Sequence, residues 1–280
     1  MKTICVFASN GLGDGLLSLV LARNLERLGH AVTIYSTPLL PLASWIPWAE
    51  VRPFPTEANM DAELATFDHV LTAEYSRAVG KGDLVYLSRQ LTVVQAFEQY
   101  LKKNWGPVEP IKPADLAIPT HYLPRRDMKR VVIHPTSGAD KKSWPAEKYV
   151  ELGHRLIQNG YKPVFIMSPT EAAHWTGHGD IPLTVFPQLT ETAGFLYESG
   201  YFIGNDSGLG HMASLFRVPT LSLFARHSSA RIWRPGWGPG MVVTPTLKLP
   251  GSRLKEKYWK SLLTVGKVMR KFQHLVQIDA

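Results

Sequence analysis

Twice in its 280 residues the chain repeats one pattern: a short apolar run, a turn of small or polar residues, a helical segment closing on glycine, and a second apolar run. The first copy reads "TICVFA" (3–8), a turn within "SNGLGDGLLS" (9–18), "LLSLVLARNLERLG" and "AVTIYS" (31–36). Leu16, Leu19, Val20 and Leu28 recur at helical spacing, and Gly29 stands where a helix C-terminus favours a residue without a side chain. The second copy reads "RVVIHP" (130–135), a polar loop, "PAEKYVELGHRLIQNG" with Pro145 early and Gly160 at its end, and "KPVFIMS" (162–168). Strand, helix and strand in this order predict parallel sheets.

The second half continues the alternation, with "TAGFLYESG" as helix, "YFIGND" as strand, "GLGHMASLFR" as helix and "PTLSLFA" as strand, the spacing of a doubly wound sheet. In the first half, residues 38–60 hold five prolines with Trp45 and Trp48 and read as irregular; "FDHVLTA" reads as a strand. "LVYLSRQLTVVQAFEQYLKKNWG" contains a long helix ending in basic residues. A proline-rich linker runs from Pro107 to Pro124. The C-terminal "SRLKEKYWKSLLTVGKVMRKFQHLV" reads as one amphipathic helix with Leu254, Tyr258, Leu262, Val265 and Met269 on one side. The predicted division is therefore 1–125, 126–250 and a terminal helix at 251–280.

A composition of 45% apolar and 19% charged residues suits a folded globular chain. The net charge of +8 favours anionic partners without choosing among nucleotide phosphates, anionic lipid and nucleic acid, and no recognition motif supports nucleic acid. The single cysteine, Cys5, excludes a disulfide framework and a cysteine metal cluster, and fits a reducing cytoplasm. Ser9, Asn10 and Asp14 interrupt the N-terminal apolar run before it reaches signal-peptide length, and no apolar stretch is long enough to span a bilayer. Membrane association is expected to be peripheral.

The first turn fails as a dinucleotide fingerprint. Counting from Gly11, the sixth position is Leu16, and the second strand ends in Ser36 and Thr37 with no acidic residue for a ribose. What remains is Asp14 at a helix N-terminus, which reads equally as a helix cap. In "IGNDSGLGHMASLF", Asn205 and Asp206 end a strand, and Ser207 and Gly208 open a helix bearing His211. Such a turn exposes N–H groups at a positive helix end and suits phosphate, although DSG turns are common and a lone His is more often structural. In "IHPTSGADKKSWPAEKY", Thr136, Ser137, Lys141 and Lys142 follow a strand and suit a diphosphate; a solvated lysine pair is the plainer alternative. Both loops would lie at the carboxyl edge of one sheet.

"GLGDGLLS", "HPTSGADKKSWPAEKYVELGHRL", a glutamate after the next strand, and "GNDSGLGHMASLFRVPTLSLF" together resemble, in order and spacing, the motifs of the heptosyltransferase family, glycosyltransferase family 9. The resemblance covers most of residues 1–30 and 130–225. It implies the GT-B fold, two Rossmann-like doubly wound domains facing a cleft, with the C-terminal helix packing back on the N-terminal domain. It implies Asp14 as general base, and the open glycine turn of Gly11, Gly13 and Gly15 on the acceptor side. Thr136 and Ser137 match the hydroxyl pair near the donor phosphates, and Lys142 the phosphate lysine, with Lys141 its rival. Glu171 matches the ribose-binding acid, and Asp206, Ser207, Gly208, Leu209 and His211 match the donor motif, Ser207 replacing the commoner threonine. "FPQLT" (186–190) would lie near the base.

The reaction so implied is inverting transfer of a sugar, heptose from ADP-heptose above all, to a lipopolysaccharide-type or other glycan acceptor. It needs no metal and no cofactor beyond the nucleotide diphosphate sugar. A non-catalytic nucleotide- or sugar-binding relative is the alternative. Lipid-linked acceptors would bring a cytoplasmic enzyme to the inner leaflet, where Arg125, Arg126, Lys129, Arg130 and the basic side of the terminal helix would face anionic lipid.

Overall fold

Every strand pair among the described residues is parallel, as the repeated pattern predicts. The computed structural model describes residues 1–73, 83–85, 90–106, 115–138, 140–175, 177, 179–246 and 252–279. They form two units, Met1–Pro119 and Thr120–Ala280, dividing a little earlier than the 125/126 boundary expected from sequence.

The first unit runs β1 (Thr3–Phe7), α1 (Leu12–Arg27), β2 (Ala31–Tyr35), β3 (Glu50–Arg52), α2 (Glu57–Leu64), β4 (His69–Ala73), β5 (Asp83–Val85) and α3 (Val93–Trp105). Its sheet order is β3-β2-β1-β4-β5, with Val6 beside Ile34 and Leu71. Helix α1 buries Leu16, Leu17, Leu19, Val20, Leu21 and Leu25, more than one stripe, because it lies against both the sheet and α3. Gly29 takes φ +84°, the left-handed conformation that makes glycine the natural end of this helix. Cys5 is fully buried in the strand, and burial pushes its thiol up to about 12, which leaves it inert. Residues 38–60 are more ordered than their prolines suggest. A 3-10 helix at Thr37–Trp45, β3 and α2 all fall there, because Pro38 sits in the first turn and Leu39, Leu42 and Trp45 supply a buried face.

The second unit runs β6 (Asp127–His134), α4 (Ala146–Gln158), β7 (Lys162–Met167), α5 (Pro169–Ala172), β8 (Leu183–Val185), α6 (Leu189–Tyr197), β9 (Ser199–Asn205), α7 (Gly208–Leu215), β10 (Thr220–Leu223), α8 (His227–Trp233), β11 (Gly240–Val243), α9 (Ser252–Leu262) and α10 (Val265–Asp279). The sheet order, β11-β10-β9-β6-β7-β8, is that of a Rossmann fold. Val131, Ile133, Phe165, Ile203 and Leu221 build the core from the strands, with Tyr149, Leu152 and Leu156 of α4 over them. Gly160, after α4, also takes a left-handed φ of +81°.

The C-terminal stretch departs from its expected form in two ways. It is two helices rather than one, because Thr264 caps α10, its Oγ1 accepting from Lys267 N at 3.3 Å. The break resets the buried face: Val265 and Met269 are buried, while Leu254 and Tyr258 are 43% and 42% exposed. Helix α10 also turns its apolar face into the second unit itself. Val265, Val268, Met269, Phe272 and Leu275 join the core of the second unit, against α4 and the β10–β11 edge.

Two of the basic residues expected at a lipid surface are committed inside the same unit. Arg125 pairs with Asp279 and donates to Gly200 O, and the Arg130 guanidinium lies 4.2 Å from the centre of the Phe195 ring. No helix among the described residues is long and apolar enough to cross a membrane.

Candidate functional site in the second unit

In the second sheet, β6 and β9 are neighbours at the point where the strand order reverses, the place where open α/β sheets bind ligands beyond their strands' carboxyl ends. Three segments leave that edge: one beginning at Pro135 after β6, Ser168 and the start of α5 after β7, and Asp206 and Ser207 running into α7 after β9. They carry the polar residues singled out in the sequence, and they also bring in His134, the last residue of β6.

The His134 side chain is buried, and its ring joins all three loops. Nε2 lies 3.0 Å from Thr136 Oγ1 and 3.1 Å from Glu171 Oε1, and Nδ1 lies 3.3 Å from Ser207 Oγ. The Thr136 hydroxyl donates to the same Glu171 oxygen at 2.5 Å. The other oxygen, Oε2, accepts from Ser168 N at 2.9 Å and Ser168 Oγ at 2.8 Å, the capping box that starts α5. Burial pushes the Glu171 carboxyl up, but the His134 ring, the Thr136 hydroxyl and the Ser168 amide outweigh it and hold the group well below the usual carboxylate range. Glu171 is thus an anion engaged on both oxygens.

Lys142 Nζ donates to Asp206 Oδ2 at 2.9 Å, across from the β6 loop to the end of β9. Of the two neighbouring lysines, Lys142 is the one whose ammonium meets this carboxylate; Lys141 contributes its backbone carbonyl, which accepts from Trp259 Nε1 at 2.9 Å. Asn205 fixes the β6 loop from beneath, its Oδ1 accepting from Trp144 N at 3.0 Å and its Nδ2 donating to Pro135 O at 2.6 Å. Ser137 Oγ lies 3.1 Å from Ser143 Oγ.

Ser207 is the N-cap of α7, yet its hydroxyl makes no bond to that helix's own amides. Gly208 and Leu209 are half-buried in its first turn. His211, one turn on, is enclosed rather than presented. Burial pushes its pKa down to about 4, with Lys142 acting the same way and Asp206 opposing, so the ring is neutral at pH 7. Its Nδ1 has no hydrogen-bond partner among the described residues, and the ring meets Trp237 edge-on at 5.8 Å.

In the first unit, β1 delivers its turn to the start of α1, with Gly11 as N-cap and Asp14 in the first turn. A Cβ at Gly11 would stand 2.8 Å from Asp14 Oδ2, so glycine there leaves room for the carboxylate. A Cβ at Gly15 would stand 2.7 Å from Ser36 Oγ and 2.9 Å from Leu39 Cγ. Gly15 is therefore accounted for by close packing of α1 on the segment after β2. Gly13 is half-buried between them. The position places Asp14 at the positive end of the helix dipole, which stabilises an ionised carboxylate.

His134 and Asn205 stand at strand ends in the sequence, and only the structure gives them a part in the site. The signal was present, since each is a polar residue closing a buried run at the carboxyl end of its strand, but its meaning depends on β6 and β9 being neighbours. Among the described residues, no group of three or more His, Cys, Asp or Glu converges in a way that could hold a metal ion.

Two parallel sheets of Rossmann order in one chain match the GT-B fold, and solved structures with that fold align with the chain end to end. A glycosyltransferase family 9 protein from Veillonella parvula superposes with TM-score 0.79 at 16% identity over 99% of this chain and 97% of its own. The ADP-heptose LPS heptosyltransferase II of E. coli does so with TM-score 0.73 at 18% identity over 100% of each chain. The chain belongs to glycosyltransferase family 9 (heptosyltransferase), whose family model matches residues 44–245 and so takes in the N-terminal stretch from 44 on that the motifs did not cover. Asp14 precedes the matched residues.

In sequence, the chain is 29% identical over 138 residues to lipopolysaccharide heptosyltransferase 3 of E. coli K12, a match that covers 45% of this chain and 37% of that protein. The dodecameric heptosyltransferase TibC of enterotoxigenic E. coli, described as iron-containing, shares the fold at TM-score 0.65 and 14% identity over 100% of this chain and 77% of its own.

Proposed function

We propose that the chain transfers a sugar, heptose from ADP-heptose, to a lipopolysaccharide-type or other glycan acceptor, with inversion and without a metal ion. The observation that carries this reading is the convergence of Thr136, Lys142, Glu171, Asp206 and Ser207 at the switch point of the second sheet. The set combines what a nucleotide diphosphate sugar needs: an ammonium and helix N–H groups for phosphate, and carboxylates for sugar hydroxyls. Family membership narrows the chemistry to glycosyl transfer, and the name of the E. coli heptosyltransferase II supports ADP-heptose as donor.

In this scheme Lys142, Thr136, Ser137 and the amides of Ser207–Leu209 hold the diphosphate, with Lys141 at the rim. Lys142 exchanges Asp206 for phosphate oxygens, which frees Asp206 for a sugar hydroxyl. Glu171 takes ribose hydroxyls in exchange, like for like, for those of Thr136 or Ser168. His211 supports the turn from within. The acceptor hydroxyl attacks the anomeric carbon as its bond to the diphosphate oxygen breaks. Asp14 takes the hydroxyl proton, and the departing diphosphate keeps the bonding electrons, its charge neutralised by Lys142 and the α7 amides. Aspartate side chains as a type are ionised at neutral pH, as a base needs to be. Gly11 and Gly13 keep the acceptor side of the turn free of side chains, while Gly15 is packed against Ser36 and Leu39 within the first unit.

We place this activity in the cytoplasm at the inner leaflet, where a lipid-linked acceptor would be met. The test is thermal shift with ADP-, GDP-, UDP- and dTDP-sugars, followed by product analysis with the stabilising donor and a lipopolysaccharide acceptor. Stabilisation confined to ADP-linked donors, with transfer that persists in strong chelator, is the expected result. Silence from every nucleotide sugar would overturn the reading; binding without turnover would leave a non-catalytic relative. Loss of transfer in chelator that metal restores would overturn its metal-free form.

A further inference from the structure

The three partners of the His134 ring dictate where its protons lie. Glu171 Oε1 receives the Thr136 hydroxyl proton at 2.5 Å and faces His134 Nε2 at 3.1 Å. An ionised carboxylate only accepts, so Nε2 must carry a hydrogen, which it directs at Glu171 Oε1 and the Thr136 oxygen. The tautomer is thereby fixed, and Nδ1 is the position at which the ring gains or loses a proton. Nδ1 faces Ser207 Oγ at 3.3 Å.

The Ser207 hydroxyl has one hydrogen to give. With a neutral ring, Nδ1 is an acceptor, and Ser207 must donate to it and turn only lone pairs toward the mouth of the turn. With a protonated ring, Nδ1–H donates to Ser207 instead, and the serine hydrogen is free for an anion. No helix amide competes for this hydroxyl, because the side chain makes no cap bond to α7.

We propose that His134 is a proton-linked positioning residue of the donor site: binding of the donor diphosphate at Ser207 draws one proton onto His134 Nδ1, turning the serine hydroxyl from the ring to the phosphate. The inference rests on the donor-site reading above and deepens it. The titratable groups on the surrounding elements are Glu171 from α5, Lys142 and Asp206 on either side of the turn, and His211 on α7. Glu171 is held ionised and His211 neutral, so neither changes charge near pH 7. Histidine is the side chain whose charge changes near neutrality.

The experiment is calorimetric titration of the full chain with ADP-heptose, whose diphosphate has no titrating proton near neutrality, in buffers of different ionisation enthalpy across about pH 5 to 8. The wild type takes up close to one proton on binding, and its affinity falls by up to about tenfold per pH unit at the upper end of the window. His134→Gln keeps an N–H toward Glu171 but cannot gain a proton, so it binds with a flat pH profile and no proton uptake. Ser207→Ala removes the hydrogen that carries the linkage and flattens the profile in the same way, which keeps the test available should the histidine variant not fold. Proton uptake unchanged in either folded variant would overturn the inference while leaving the donor site standing. Failure of the wild type to bind any nucleotide sugar would overturn both.

Discussion

Arg125 and Asp279 are joined at two points, Nη2 to Oδ2 at 2.6 Å and Nη1 to Oδ1 at 3.0 Å, so that a residue just before β6 holds the last turn of α10. The guanidinium also lies 5.5 Å from the centre of the Tyr201 ring, and the Asp279 side chain is only 8% exposed. Removing one member of a largely buried charged pair leaves the other unsatisfied. Arg125→Ala is expected to cost about 2 kcal/mol, and to lower the thermal midpoint by about 4–8 °C for a unit of this size. ADP-heptose affinity should be unchanged, because the pair lies at the opposite end of β6 from the donor loops; a stable variant with weakened lipid binding would instead restore the surface role.

The depressed pKa of Glu171 makes a statement about acid stability. The unfolded chain binds a proton there near the ordinary glutamate value of 4.5, whereas the folded carboxylate resists protonation below it. Its contribution is therefore complete at neutral pH and is lost as pH falls through and below that value. Glu171→Gln should be less stable than wild type at pH 7, and should show a shallower loss between about pH 5 and 3 in chemical unfolding. Parallel pH dependences in the two proteins would show that the His134–Thr136–Glu171 network does not hold the carboxylate as an anion.

The two lysines of the β6 loop separate cleanly. Lys142 reaches Asp206, while the Lys141 carbonyl is what the fold uses, as acceptor for Trp259 Nε1. Lys142→Ala is expected to weaken ADP-heptose binding about tenfold or more, the scale of a hydrogen bond to a charged group. Lys141→Ala, which keeps the backbone acceptor, should change it little. The reverse order, measured by titration calorimetry, would transfer the phosphate role to Lys141.

Gly15 shows how far glycine patterns can be read from sequence. It stands in the same turn as Gly11 and Asp14, and its spacing suggests openness to a ligand; the structure instead sets it against Ser36 Oγ and Leu39 Cγ. Gly15→Ala should therefore destabilise the first unit by about 1–3 kcal/mol through overpacking, visible as a lower thermal midpoint. Donor affinity, a property of the other unit, should remain at the wild-type value.

What the sequence made readable is what local periodicity and glycine placement determine. The strands around "TICVFA" and "RVVIHP", the helix ends at Gly29 and Gly160, and α3 with its terminal Lys102 and Lys103 all follow from runs of a few residues. Side chains brought together by sheet order were not readable in the same way. His134 closes β6 and Ser207 follows β9, and nothing near either residue in the chain announces that those strands pair. The destination of α10 was lost for a similar reason: an apolar stripe says that a helix is buried, but Phe272 meeting Tyr161 and Tyr201 is a tertiary fact. Even the break between α9 and α10 turned on one residue, Thr264, inside a stretch of continuous helical periodicity.

Asp14 carries the sharpest functional prediction, because its two readings give different results. As a group in the first turn of α1 it stabilises the helix through the dipole, a contribution of about 0.3–1 kcal/mol that Asp14→Asn would largely remove. As the base that takes the acceptor proton it is worth about 100- to 10,000-fold in rate. Asp14→Asn should therefore fold with a thermal midpoint within a few degrees of wild type, bind ADP-heptose with unchanged affinity, and lose at least about 100-fold in kcat with an acceptor at saturation. A variant with the same small stability loss and a wild-type kcat would reduce Asp14 to a helix-end carboxylate and leave the chain without an assigned base. If kcat falls but activity returns on adding a small carboxylate such as formate, the missing proton acceptor is identified directly, since a small anion cannot repair a helix dipole.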